Sequence, residues 1–217
     1  SCGKSSHTKP QLFLYINVRA HMNKILQKIL LFVLIIGITS CSRNYKIEKS
    51  DYSLIPYSGK EILIFKSTEN KFDTIFLNGI ERYSAGSDPL AFFPDQHEIH
   101  RLNCKKSDPN YDRYLDGKTL IELRASSSGT SIWFEIIMKE SWFYGKEIYS
   151  KAEFDSVPIT KLTIENKTYD DVKVFESDGS YEQRDNYAER FYWSLSQGFI
   201  GLDKRETEWR LIKKYVP

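Results

Sequence analysis

The chain has 217 residues, with 31 basic and 29 acidic side chains, a formal net charge of +2 and 14% aromatic residues. Residues 1–40 hold Lys4, Lys9, Arg19, Lys24 and Lys28 and no acid, so residues 41–217 carry 26 basic against 29 acidic side chains, a net of −3. That balance excludes an electrostatic case for nucleic acid: no basic face or arm stands out, and Lys204-Arg205 and Lys213-Lys214 are short pairs flanked by acids or aromatics.

In chain order, the first pattern is a leader. Lys24 and Lys28 precede the apolar run 29–38, which ends in Thr39-Ser40-Cys41. A positive end, a short apolar core and small residues make up the physical pattern of a secretory signal. A membrane span needs about 20 apolar residues, and this run is shorter. Met22 is the expected start, residues 22–40 read as a complete helical signal peptide, and residues 1–21 read as an over-extended N-terminus.

The segment Ile38-Thr39-Ser40-Cys41 resembles the lipobox of bacterial lipoproteins, an aliphatic residue and two small ones before a cysteine. The resemblance implies a cut after Ser40, a diacylglyceryl group on the Cys41 sulfur and acylation of the new amino terminus. One acyl chain binds a membrane reversibly, whereas several anchor stably. The expected partner is therefore a membrane, reached through lipid on Cys41. Ser42 is not Asp, so the inner-membrane retention signal of enteric lipoproteins is not seen. Residues 42–45 also lack the acidic run that resembles surface-export signals. The expected place is the outer membrane, facing the periplasm.

Residues 41–51 are polar and read as the lipidated cysteine and a tether, followed by a single β-rich domain over 52–217. Strands are expected at 61–67 and from 72 to 77 or slightly beyond, with Asn78-Gly79 as a hairpin turn. Residues 84–94 read as loop. Residues 95–116 are polar and read as irregular, with Pro109-Asn110 as a breaker. A strand at 119–125 turns back through Ser126-Ser127-Ser128-Gly129 into a long strand at 131–143, rich in β-branched and aromatic residues. Val157-Pro158 marks an extended or edge position. Strands follow at 161–165 and 171–175, where Val172 and Val174 share one face and Lys173 and Phe175 the other. Further strands are expected at 190–195 and 209–215, with Gly198 and Gly201 punctuating the chain and 203–206 turning it. Short helical turns are expected at 112–114 or 182–189. The class is mainly β and antiparallel.

Three pieces carry a wider resemblance: Tyr52 to Gly59 with Ile62 to Ser67 and Asp73-Thr74-Ile75; Ile164 to Val172; and Phe191-Tyr192-Trp193 through Gly198 and Gly201 to Trp209-Arg210-Leu211. Together they resemble the uncharacterised outer-membrane lipoproteins of Bacteroidota-type bacteria. Some of these are similar to the half-open β-barrel of periplasmic lipoprotein carriers. The resemblance implies a curved antiparallel sheet or half-open barrel with few short helices, and no catalytic residues.

The candidate chemistry is sparse. Cys104 is the one thiol after Cys41, so no internal disulfide is possible downstream of it. His97, His100 and Cys104 would share a face on a helix, at i, i+3 and i+7, and imidazole and thiolate suit zinc. On a strand, the two histidines would point to opposite faces. The spacing matches no strong zinc motif, and the expectation is no metal and no cofactor. Residues 126–129 lack the G-x-S-x-G pattern of a nucleophile elbow. Asp108, Asp112 and Asp116, like Asp170-Asp171, lack the spacing and glycine of a calcium loop. Glu122 and Glu135 are candidates for carboxylates paired across a hairpin. Tyr181, Tyr187, Phe191, Tyr192 and Trp193 line either a groove or the core. The expected role is a non-enzymatic binding or structural module for an envelope protein. The alternatives are a carrier of a lipid or other apolar ligand and an envelope hydrolase.

Overall fold

The period-two patterning expresses itself as strands along most of the described residues after Arg43. The computed structural model describes residues 27–28, 42–86, 94–106, 118–138, 141–143, 145–146 and 148–217. The leader at 22–40, apart from the helical Gln27 and Lys28, lies outside the described residues. So do residues 1–21, Cys41, and Asp108, Asp112 and Asp116.

The strands are β1 (Asn44–Tyr45), β2 (Ile62–Ser67), β3 (Phe72–Gly86), β4 (Gln96–Lys106), β5 (Lys118–Ser126), β6 (Gly129–Phe134), β7 (Ile137–Met138), β8 (Ser141–Phe143), β9 (Ile148–Ser150), β10 (Ile159–Ile164), β11 (Lys167–Glu176), β12 (Tyr187–Ala188), β13 (Arg190–Ser194), β14 (Gly198–Lys204) and β15 (Thr207–Tyr215). A 3₁₀ helix spans Lys49–Leu54, and a short α-helix, α1, spans Lys151–Ser156. Eleven strands pair antiparallel in the order β10-β11-β13-β14-β15-β2-β3-β4-β5-β6-β9. Strand β1 joins them in parallel, Asn44 opposite Gln96 and Tyr45 opposite His97. Strands β12, β8 and β7 form a small second sheet.

The sheet curls back on itself. In strand order β6 lies eight steps from β11, which in a flat sheet would separate them by about 38 Å. Yet the Phe134 ring of β6 lies 5.4 Å from Phe175 of β11, and 5.2 and 4.9 Å from Phe191 and Trp193 of β13. The two arms therefore face each other around a shared aromatic interior, the half-barrel expected for this class. Tyr149, Phe154, Phe65 and Phe199 complete that interior. Register shifts interrupt the β3–β4, β4–β5, β13–β14 and β15–β2 pairings. Such bulges increase local twist and bend, and so assist the curl.

Four expectations are corrected. The supposed tether belongs to the domain: β1 is paired, Ile47 is 3% exposed, and Asp51 is buried and accepts a 2.6 Å hydrogen bond from the Thr130 hydroxyl. Only Ser42 and Arg43 separate Cys41 from the first strand. Asn78-Gly79 is no hairpin turn but a bulge inside β3, where Gly79 has φ of +93° and its N–H reaches the Gly59 carbonyl at 2.7 Å. An Asn-Gly pair suits positive φ in either setting, so local chemistry alone does not separate them. Residues 96–106 form strand β4, since pairing with both β3 and β5 overrides a polar composition. The long strand expected at 131–143 is divided into β6, β7 and β8, with β7 and β8 leaving the main sheet.

Helix α1 lies where no helical turn was expected, although its start carries a local signal. Ser150 and Glu153 form a capping box, each side chain bonding the other's backbone N–H. Lys173 lies opposite Trp193 on the inner face, an unusual place for an ammonium. Its Nζ donates to the Asp155 carbonyl at 3.2 Å and to the Val157 carbonyl, and it lies over the Phe154 ring. It thus caps the carboxyl end of α1, where the helix dipole favours a cation. Burial lowers its pKa, partly opposed by Asp155.

Candidate functional site

The segment that follows Arg43 lies across one mouth of the half-barrel and builds a cleft there. Strand β1 lies beside the start of β4, Ile47 inserts into the core, and the 3₁₀ helix brings Tyr52 over β4. The cleft encloses about 500 Å³ and is lined by Tyr45, Lys46, Lys49, Tyr52, Arg82, Tyr83 and Glu98, among others.

Glu98 organises this mouth. It is two residues from His100 on β4, so both side chains leave the same face. Glu98 Oε1 lies 2.8 Å from His100 Nε2 and accepts from the Tyr52 hydroxyl at 3.3 Å. Its Oε2 accepts the Ile47 N–H at 3.1 Å. Burial alone would raise the Glu98 pKa, but His100, the Ile47 N–H and Tyr52 together hold it below the usual carboxylate range. The Tyr52 ring tilts over His100 at 4.7 Å, and burial and the Glu98 charge raise the Tyr52 pKa. One carboxylate thereby joins three elements distant in sequence: the run after β1, the 3₁₀ helix and β4.

The expected zinc-type cluster does not assemble. Because β4 is a strand, His97 and His100 leave opposite faces. The His97 ring stacks on Tyr45 at 5.1 Å, and its Nδ1 lies 2.7 Å from the Ala125 carbonyl. His100 is taken by Glu98. Cys104 lies beyond the bulge between Leu102 and Asn103, packed against the core. Among the described residues no group of three His, Cys, Asp or Glu side chains is placed to hold a metal ion.

The other candidates resolve into structure. Glu122 lies opposite Trp133 in register, not opposite Glu135. Its buried carboxylate accepts from Arg101 at 2.7 Å and from Arg124 at 3.0 Å. This is an ion-paired ladder on the outer face, without the acid and base geometry of a glycosidase. Ser126 to Gly129 is a tight hairpin turn, with the Ser126 hydroxyl donating to the Gly129 carbonyl at 2.8 Å. Tyr187, Phe191, Tyr192 and Trp193 are buried, while Tyr181 is exposed. Tyr192 donates to Asp203 at 2.5 Å, and Arg210 reaches the other oxygen of that carboxylate at 2.6 Å.

A second cleft of about 600 Å³ lies on the other side of the 3₁₀ helix, lined by Lys46, Ser50, Asp51, Ser126, Ser127 and Lys151, among others. Chemically, the first cleft offers charge and hydrogen bonds. Its Glu98 carboxylate is held ionised by three donors. Sequence reasoning singled out His97, His100 and Cys104 around Glu98 but missed Tyr52, Lys49 and Arg82, which share no motif and meet only through the fold. No helix among the described residues is long and apolar enough to cross a membrane. Compared with protein-family models, curated proteins and solved structures, the chain matches none.

Proposed function

We propose that the chain is a lipid-anchored cell-envelope lipoprotein whose half-barrel serves as a non-enzymatic binding or structural module. The observation that carries this reading is the junction at Cys41. An apolar run closes on Ile38-Thr39-Ser40-Cys41, and the first paired strand begins three residues later, at Asn44. A cut at that cysteine would release the folded domain intact and leave it directly beneath its anchor. The Ser42 position supports the outer membrane, facing the periplasm. Several acyl chains on Cys41 would provide stable attachment at about 0.8 kcal/mol per buried methylene.

The aromatic interior favours a binding or structural module over a carrier. Phe134, Phe175, Phe191 and Trp193 occupy the space between the two arms, where an apolar cargo would lie. Full-length wild type and Cys41→Ser, made in an exporting host, test the anchor. The wild type is expected to partition into the detergent phase as a shortened chain, and Cys41→Ser to retain its leader. Identical processing of both would overturn the reading.

A further inference from the structure

We infer that the mouth cleft is the face of the domain that docks on the headgroup layer of the anchoring membrane, with Lys46, Lys49 and Arg82 engaging lipid phosphates. This rests on the lipid-anchor reading of Cys41. Three peptide steps separate Cys41 from Asn44, and an extended chain spans at most about 3.6 Å per residue. The Asn44 end of β1 therefore lies within about 11 Å of the lipidated residue. Asn44, Tyr45 and Lys46 themselves line the cleft, so the cleft lies at the anchored end of the domain.

The chemistry of this face fits that neighbour. Lys46, Lys49 and Arg82 line the cleft against one acid, Glu98, in a chain whose residues 41–217 are net negative. The Glu98 carboxylate is engaged by the Ile47 N–H, the Tyr52 hydroxyl and His100. Tyr52 is exposed on the face that carries Glu98 and His100. Tyrosine, with an apolar ring and a polar tip, suits the boundary between headgroup and acyl chain. Lysine and arginine near an anionic surface strengthen binding by about fivefold per charge, an effect that fades within a Debye length.

The test uses the processed protein from an exporting host, whose intact mass first establishes lipid on Cys41. Hydrogen exchange is then followed in vesicles of phosphatidylethanolamine and phosphatidylglycerol, in phosphatidylcholine vesicles and in neutral detergent micelles. Peptides covering residues 44–57 and 80–86 are expected to exchange several-fold more slowly in the anionic vesicles alone. That protection should collapse in 0.5 M salt and in a Lys46→Gln, Lys49→Gln, Arg82→Gln variant whose β13 and β14 peptides exchange as in wild type. Equal exchange in all three environments for lipidated protein would overturn the docking face while leaving the anchor intact. Protection reproduced by millimolar inorganic phosphate in micelles would overturn it in favour of a soluble phosphate ligand. An unmodified Cys41 would overturn both readings.

Discussion

Tyr57 occupies the space that a side chain at Gly198 would need. A Cβ built on Gly198 would lie 2.1 Å from the Tyr57 hydroxyl, and Gly198 has φ of +82°. That hydroxyl instead accepts the Phe199 N–H at 2.7 Å, deep in the interior, and the Tyr57 ring lies 6.1 Å from the Trp193 ring. Lys214 lies over the Tyr57 ring and donates to the Pro56 and Gln197 carbonyls. The run after the 3₁₀ helix is thus fastened to the β13–β14 turn at the far end of the sequence.

Gly198→Ala is expected to destabilise the domain by about 2–4 kcal/mol, from left-handed strain together with the clash on Tyr57. Tyr57→Phe should cost about 1–3 kcal/mol, because the Phe199 N–H loses its partner without access to water. Urea titrations of both variants check this. A cost for Gly198→Ala within 0.5 kcal/mol of zero would contradict the packing described.

Ile47→Ala should cost about 2–5 kcal/mol if residues 44–51 belong to the core, and almost nothing if they are a tether. Asp51→Ala should cost about 1–3 kcal/mol, since Thr130 then loses its buried acceptor. Thermal melting of the two variants separates a folded segment from a linker.

Acidification should release the mouth before the core. Glu98 is held below its ordinary pKa, so the stability it confers is fully present above about pH 4.5 and is lost as pH falls through its lowered value. Hydrogen exchange of residues 44–57 should accelerate below pH 4.5 while the β13 and β14 peptides stay protected. Glu98→Gln should show the same acceleration at neutral pH.

At the alkaline end the sign reverses. Burial and the hydrogen bond to Asp203 push Tyr192 up to about 12. A raised folded-state pKa confers stability that is complete below the unfolded value near 10 and disappears as pH rises from 10 to 12. Tyr192→Phe should flatten the fall in stability across that window, read as the difference from wild type in urea midpoints at pH 9 and 11.

Most of the strands were legible from their alternation, and β2, β5, β11, β13 and β15 lie close to where the pattern places them. What misled was local chemistry with more than one use. Asn78-Gly79 satisfies a bulge as readily as a turn. The polar stretch His97 to Cys104 becomes a central strand because β3 and β5 supply partners that lie twelve or more residues away. Lys173 alternates as expected with Val172 and Val174, but faces inward because the end of α1 accepts its ammonium. The mouth cleft was not legible at all. Lys49, Tyr52, Arg82 and Glu98 come from three separate segments, which meet through β3 pairing with β4 and β1 pairing beside β4.

The central claim is the lipid anchor at Cys41, and intact mass spectrometry of the protein isolated from the membranes of an exporting host tests it most directly. The account predicts a chain beginning at Cys41 that carries a diacylglyceryl group and an amide-linked acyl chain. A product that retains residues before Cys41, or one with an unmodified cysteine, would contradict it.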